Sequence, residues 1–145
     1  MTIETLSAEE TFAVGRDLGK LAQQGSVYCL IGDLGVGKTV FTQGFAKGLG
    51  ITEPISSPTF TILEEYESGR VPFYHFDVYR ISDPEEMFEI GFDDYINGDG
   101  VCLIEWADLI EDILPEAFNT IIIEKDDKKD FDYRKITIKR NEGLS

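Results

Sequence analysis

The chain has 145 residues, 42% of them hydrophobic, which suits one domain with a buried core. The 28 Asp and Glu residues outnumber the 13 Lys and Arg residues, so the formal net charge is −15. Because so acidic a surface repels a polyanion, tight and direct binding to nucleic acid is not expected. Segment 76–116 holds 13 carboxylates and one basic residue, Arg80. We expect most of it to be a solvated face, which could dock on a basic partner.

Cys29 and Cys102 each lie in an apolar, strand-like run, so we expect two buried, free thiols. The sequence has no CxxC motif and no Cys/His cluster, which argues against a zinc site. Residues 1–6 are too few and too acidic for a signal peptide, and no apolar run approaches a membrane span. We therefore expect a cytoplasmic protein that does not contact a membrane.

The predicted elements alternate between helices and strands, without a repeat or a linker. Ser7 and Glu10 form a capping-box pattern that opens a helix ending near Gly25. A strand over 27–31 and a helix over 39–48 follow, and then strands over 61–66 and 71–76 that pair as a hairpin. A short helix that begins at 83–85, a strand over 101–104 and a helix around Leu109 come next. Strands over 120–123 and 133–138 complete the prediction. This order predicts a single α/β domain over residues 1–145.

The segment Gly32-Asp33-Leu34-Gly35-Val36-Gly37-Lys38-Thr39 matches the phosphate-binding pattern G-x-x-x-x-G-K-[ST]. It lies between a predicted buried strand and a predicted helix, an arrangement that directs backbone N–H groups and the positive helix end at an anion. Lys38 would supply charge to the outer phosphates, and the Thr39 hydroxyl would be a ligand of Mg²⁺. The candidate nucleotide contacts in this region are Asp33, Gly35, Val36, Gly37, Lys38, Thr39 and Val40.

Two acidic residues each follow a predicted buried strand: Asp77 comes after 73–76 and Glu105 after 101–104. The carboxyl edge of a parallel sheet is where ligands bind in open α/β folds. One carboxylate could hold Mg²⁺ while the other orients the attacking water, and the sequence leaves the assignment open. With Lys38, they are the candidate catalytic residues.

The sequence also bears on the nucleobase. Guanine-selective proteins with this loop usually carry the pattern [NT]-K-x-D. The nearest segment here is Glu124-Lys125-Asp126-Asp127, with Glu at the first position. Adenine, and therefore ATP, is the favoured nucleotide.

Four segments occur in a distinctive order: the phosphate loop 32–39, Ser57-Pro58-Thr59-Phe60-Thr61, His75-Phe76-Asp77-Val78-Tyr79-Arg80 and Ile104-Glu105-Trp106. This set resembles the TsaE (YjeE) family, small bacterial ATPases needed to make threonylcarbamoyladenosine next to the anticodon of certain tRNAs. The resemblance covers residues 7–106 clearly, and the last forty residues only by their strand pattern. It implies a P-loop NTPase fold, with a mixed, mostly parallel sheet flanked by helices and an antiparallel hairpin.

The resemblance also implies roles for the central residues. Lys38 and Thr39 would bind phosphate and Mg²⁺, and Asp77 and Glu105 would be their acidic partners. Glu105 is the stronger candidate for contact with the metal. Thr59 would sense the γ-phosphate or its metal.

Other residues of the resemblance would surround the nucleotide. Trp106 would lie near it, although an anchor for the following helix is an equally good interpretation. Arg134 resembles the family's C-terminal arginine beside the nucleotide, and Leu6, at the start of the first helix, would help to enclose the adenine. His75 alternates with apolar neighbours and is expected to be a packed strand residue rather than a base.

The resemblance also implies partners similar to the TsaD–TsaB pair, in which TsaD transfers the threonylcarbamoyl group to tRNA. This chain would bind that pair and use ATP to reset it, so it would meet tRNA only indirectly. With no obvious arginine finger beside the loop, hydrolysis should be slow alone and faster with partners. Two rival functions are a small-molecule kinase and a nucleotide-gated binding module without significant turnover.

Overall fold

The computed structural model describes residues 1–32, 36–55 and 62–141. Within these ranges, seven strands form one sheet in the order β1-β7-β6-β2-β5-β4-β3. The strands are β1 (Thr2–Thr5), β2 (Val27–Ile31), β3 (Leu63–Tyr66), β4 (Phe73–Asp77), β5 (Val101–Glu105), β6 (Phe118–Glu124) and β7 (Arg134–Asn141). The helices are α1 (Ala8–Leu21), α2 (Lys38–Gly48), α3 (Glu86–Glu89) and α4 (Phe92–Ile96), with a 3₁₀ helix over Ala107–Ile113.

The middle of the sheet is parallel and its outer parts are antiparallel. Strands β6, β2, β5 and β4 pair in parallel, whereas β1 with β7, β7 with β6, and β3 with β4 pair antiparallel. Five of the seven described strands therefore run in one direction. The predicted mixed, mostly parallel sheet and its hairpin are both confirmed.

Both faces of the central strands are buried, which explains their unbroken apolar sequences. On one face, Leu30 and Leu103 pack with Phe41 and Phe45 of α2. On the other face lies a second cluster, formed by Cys29, Phe76, Met87, Phe92, Cys102, Ile104 and Ile110. The two cysteines are buried and free, as predicted, and burial raises the pKa of each thiol to about 12.

Helices α1 and α2 approach each other closely because glycines line both sides of their contact. A Cβ on Gly15 would lie 2.3 Å from the Phe41 carbonyl oxygen, and one on Gly44 would lie 2.1 Å from that of Phe12. These distances are far below an ordinary contact, so any larger side chain would separate the helices. The packing matters for function because α2 begins at Lys38.

Two features at the N-terminus differ from the sequence prediction. The sequence predicts no strand before Ser7, yet β1 pairs with β7, since its backbone groups find partners that are distant in the chain. Helix α1 ends at Leu21 rather than near Gly25, because Ala22 adopts an extended conformation. The predicted cap is confirmed: the backbone N–H of Glu10 donates to Ser7 Oγ at 3.1 Å.

Candidate active site

The register of β4 and β5 places two carboxylates side by side. Asp77 pairs directly with Glu105 across these parallel strands, and the backbone N–H of Val78 donates to the Glu105 carbonyl at 3.3 Å. On the other side of β5, Glu105 lies opposite Leu30 of β2, the strand that precedes the phosphate loop. Asp77 and Glu105 therefore lie at the same edge of the sheet as the start of the phosphate loop.

Lys38, the first residue of α2, reaches over this edge. Its Nζ lies 3.8 Å from Glu105 Oε1 and 4.7 Å from the centroid of the Trp106 ring. Lys38 is 9% exposed and Glu105 is 6% exposed, so the pair is largely removed from water. Removing either partner would leave an uncompensated buried charge, so each charge stabilises the buried position of the other. The indole face adds a further attraction for the ammonium.

The two described ends of the phosphate loop are constrained. Gly37 has a φ of +98°, a left-handed conformation that suits glycine. A Cβ on Gly32 would lie 2.9 Å from the carbonyl oxygen of Ile123, so only glycine fits against β6 there. Residues 33–35 and 56–61 lie outside the described residues, and the predictions for Asp33, Gly35 and Thr59 stay predictions.

Burial also changes the proton affinity of Asp77. It raises the pKa of this carboxyl above its ordinary value, the backbone N–H of Tyr79 opposes the rise, and the Glu105 carboxylate adds to it. The opposing contact is a hydrogen bond of 3.0 Å, donated by Tyr79 N–H to Asp77 Oδ1. Asp77 is thus a stronger proton acceptor than an exposed aspartate, with one oxygen held by the backbone.

His75 is buried in β4, with an exposed fraction of 1%, and stacks on Phe73. The predicted packing role is therefore confirmed. The sequence reasoning missed a further contact: His75 Nε2 lies 2.7 Å from Glu105 Oε2. The sequence holds a partial signal for this contact: the two-residue spacing places His75 and Asp77 on one face of β4, so His75 would lie on the side of the acidic residue.

Trp106 is confirmed as an anchor for the following helix, and its place near the nucleotide stays a prediction. It precedes the 3₁₀ helix as its N-cap, with a φ of +62°, and its ring lies 4.9 Å from that of Tyr79. Within the described ranges it is the one residue other than glycine with a positive φ. Such a conformation is costly for a bulky residue and persists where its surroundings impose it, often at functional sites.

A cavity of about 730 Å³ opens beside Lys38 and Trp106. The sequence reasoning missed four charged residues in its wall: Asp108, Glu124, Lys125 and Asp127. For Glu124, Lys125 and Asp127 the signal was their position directly after a predicted strand. The structure pairs that strand, β6, in parallel with β2, so its carboxyl end meets the phosphate loop.

A smaller cavity, of about 110 Å³, lies on the other side of the loop. Val36, Gly37, Val40 and Arg134 line it together with the start of α1. The guanidinium of Arg134 donates to three backbone carbonyls, those of Val36, Phe131 and Tyr133, at 2.7–2.8 Å. Arg134 therefore links the end of the phosphate loop to β7, and its contact with the nucleotide stays a prediction.

Two more predicted residues lie near the starts of the two long helices. Leu6 precedes the N-cap of α1 and is 62% exposed, and Thr39 is exposed in the first turn of α2. Of the predicted residues that the structure describes, Lys38, Asp77, Glu105 and Trp106 come together at one sheet edge. Val36, Gly37, Val40 and Arg134 meet at the second cavity.

The family model for threonylcarbamoyl adenosine biosynthesis protein TsaE matches residues 5–136. The chain belongs to the TsaE family. Its role therefore lies in the biosynthesis of tRNA threonylcarbamoyladenosine. The resemblance inferred from the four sequence segments is confirmed.

Relatives and a solved structure agree with this TsaE assignment. The tRNA threonylcarbamoyladenosine biosynthesis protein TsaE of Bacillus subtilis is 49% identical over 131 residues, covering 89% of this chain and 82% of that protein. Its counterpart in Treponema pallidum is 48% identical, covering 79% and 84%. A crystal structure of Bacillus subtilis YdiB superposes with a TM-score of 0.82 at 43% identity, covering 99% of this chain and 86% of that one.

The structure also bears on two general expectations. No helix within the described ranges is long and apolar enough to cross a membrane. Among the same residues, no three His, Cys, Asp or Glu side chains form a group that could hold a metal ion by themselves.

Proposed function

We propose that this TsaE-family chain binds ATP with Mg²⁺ and hydrolyses it, slowly alone and faster with its partners. One observation carries the proposal: Lys38, Glu105 and Asp77 converge where the phosphate loop meets the carboxyl edge of the parallel strands. The ammonium lines the large cavity, at the N-terminus of an eleven-residue helix. Helix N-termini of this kind attract phosphate groups.

The residues present fit a nucleotide and its metal. Lys38 offers a charge to phosphate, and Thr39 carries a hydroxyl in the first turn of α2. Mg²⁺ in such sites usually takes one or two protein carboxylates and completes its ligand set with phosphates and water. Two adjacent carboxylates and a hydroxyl therefore suffice. When bound, the metal neutralises charge on the phosphates and aligns them.

We assign different roles to the two carboxylates. Glu105 lies against Lys38, so it is the nearer of the two to the expected phosphates, and we assign it the metal contact. Asp77, with its raised pKa, is suited to orient a water molecule and accept its proton. The backbone hydrogen bond from Tyr79 restricts the rotation of the Asp77 carboxylate while it does so.

The contacts of two arginines support the expected slow turnover. Arg134 is engaged by three carbonyls near the loop, and Arg70 donates to the carbonyls of Gly19 and Ala22 at the end of α1. Neither guanidinium therefore serves as an arginine finger. A P-loop GTPase without such a finger turns over on the order of 10⁻⁴ per second, and one with the arginine in its own chain on the order of 10⁻² per second.

We propose a TsaD–TsaB-like pair as the partner that ATP hydrolysis resets between turnovers. The net charge of −15 supports binding through proteins, with tRNA reached only through the complex. Segment 76–116 carries most of that charge and includes partly exposed apolar residues, among them Tyr79 and Phe88. A partner with a basic surface would complement it.

The test is single-turnover hydrolysis of ATP by the wild-type chain, Asp77→Asn and Glu105→Gln, with and without the TsaD–TsaB-like pair. Each substitution should slow Mg²⁺-dependent hydrolysis by about 10²-fold or more. Glu89→Gln removes an exposed acid far along the chain from these residues and should match wild type when assayed alone.

The rival functions give different results in the same assay. Hydrolysis that requires an added metabolite, with phosphate appearing on it, would indicate a kinase. Unchanged hydrolysis in Glu105→Gln with altered affinity for the pair would indicate a nucleotide-gated binding module. Equal rates with and without the pair would contradict the proposed stimulation.

A further inference from the structure

We propose that His75 is a positioning residue for Glu105. Its Nε2–H donates to Glu105 Oε2, which leaves Oε1 turned toward Lys38. The consequence for turnover rests on the proposed function, whereas the hydrogen bond can be tested without it.

The geometry gives the carboxylate two different contacts. Oε2 lies 2.7 Å from His75 Nε2, and Oε1 lies 3.8 Å from Lys38 Nζ. The ring of His75 is held by its burial and by stacking on Phe73, with centroids 6.1 Å apart. The donor is therefore fixed in the sheet, whereas Lys38 approaches from the neighbouring helix.

The surroundings of the ring determine which nitrogen carries the proton. His75 Nδ1 is buried and has no hydrogen-bond partner within the part of the chain that the structure describes. A proton on Nδ1 would be an unpaired buried donor, and an unprotonated Nε2 would face the carboxylate oxygen with a lone pair. A proton on Nε2, facing Glu105 Oε2, is therefore what the hydrogen bond requires.

Without this donor, Glu105 would lose its one short hydrogen bond among the described contacts. The carboxylate could then rotate, and Oε1 would spend less time at the position that faces Lys38. Hydrogen bonds that orient a metal-binding side chain typically contribute 10- to 100-fold to metal affinity or activity. The effect should appear in Mg²⁺-dependent steps and not in binding that needs no metal.

Two substitutions of His75 distinguish the loss of the hydrogen-bond donor from the loss of the packed ring. The amide nitrogen of Gln is four bonds from Cα, like His Nε2, whereas that of Asn is three bonds away, like Nδ1. His75→Asn should lower Mg²⁺-dependent turnover about 10- to 100-fold, whereas His75→Gln should stay within about threefold of wild type. Equal losses in both variants, or no loss in either, would overturn the proposal.

Binding of Mg²⁺-free ADP provides a readout besides activity, because it does not require the oriented carboxylate. Trp106 is the sole tryptophan and contacts Lys38, so its fluorescence can follow the titration. His75→Asn should bind Mg²⁺-free ADP with an affinity close to that of wild type. A parallel loss of this affinity would mean that the residue serves the structure alone, and would also overturn the proposal.

His75 is the sole histidine of the chain, so its ring nitrogens can be observed directly by ¹⁵N NMR. The nucleotide-free protein should show a ring proton on Nε2. Glu105→Ala should remove the preference for this position. An Nε2 without a proton would overturn the proposal. If wild type hydrolysed no ATP, the proposed function would fail, but this spectrum would still show whether His75 Nε2 carries the proton of the hydrogen bond.

Discussion

Replacing Gly44 with alanine tests the contact between α1 and α2 that holds Lys38 in place. At a solvent-exposed helical site this change stabilises a protein by about 1 kcal/mol, because alanine is the better helix former. Here the new Cβ would lie 2.1 Å from the carbonyl oxygen of Phe12 and 3.1 Å from the backbone nitrogen of Arg16. The helices would have to separate by roughly 1.4 Å to restore an ordinary contact of about 3.5 Å.

The two effects oppose each other, and the steric one should be larger. Overpacking against a rigid partner costs up to about 3 kcal/mol, and both contacts here are backbone atoms that cannot rotate away. Subtracting the gain in helix propensity leaves a net loss of about 2 kcal/mol. For a chain of this size the melting temperature should fall by roughly 4–8 °C.

Urea denaturation followed by the fluorescence of Trp106 measures the loss, with Gln43→Ala as the control. Gln43 is exposed on the same helix, so its substitution should change the free energy of unfolding by no more than about 0.5 kcal/mol. Nucleotide affinity should also fall in Gly44→Ala, because α2 carries Lys38. A Gly44→Ala variant as stable as wild type would refute the reasoning.

Three further predictions concern other parts of the chain. Burial raises the pKa of Asp77 in the folded protein, so the ionised carboxylate destabilises the folded state. This destabilisation is absent below the pKa of the unfolded chain, about 3.9, and develops as the pH rises through the pKa of the folded protein. Asp77→Asn in Mg²⁺-free buffer should therefore melt higher at pH 7 and lose that advantage near pH 4, and an unchanged pH profile would count against the shift. Cys29 and Cys102, with pKa values of about 12, should react with a thiol reagent at pH 8 only after unfolding, so fast labelling of the folded protein would contradict their burial. Arg70→Met should cost about 1 kcal/mol in urea denaturation, because the carbonyls at the end of α1 lose their donor; no change would show that water replaces it.

The parts of the fold that the sequence predicts correctly depend on local signals. Apolar runs bounded by turns locate the central strands, and the phosphate-loop pattern locates the start of α2. The placement of Asp77 and Glu105 at one sheet edge follows from a rule about parallel sheets, because each ends a predicted buried strand. Each of these signals lies within a few neighbouring residues.

The parts that the sequence does not predict depend on contacts between distant segments. Strand β1 has four residues, and only its pairing with β7, at the far end of the sequence, makes it a strand. The contact of His75 with Glu105 requires the register between β4 and β5. The role of Arg134 as a link to the Val36 carbonyl likewise depends on how β7 lies beside the loop.

The central claim is that Lys38 and its neighbouring carboxylates form a site for Mg²⁺ and ATP. Calorimetric titration with a non-hydrolysable ATP analogue and Mg²⁺ tests it most directly, using wild type and Lys38→Ala after both are shown to unfold cooperatively. Wild type should bind, and Lys38→Ala should bind about 10- to 100-fold more weakly, the contribution expected of one charge-assisted hydrogen bond. No binding by folded wild type, or equal binding by the variant, would contradict the account.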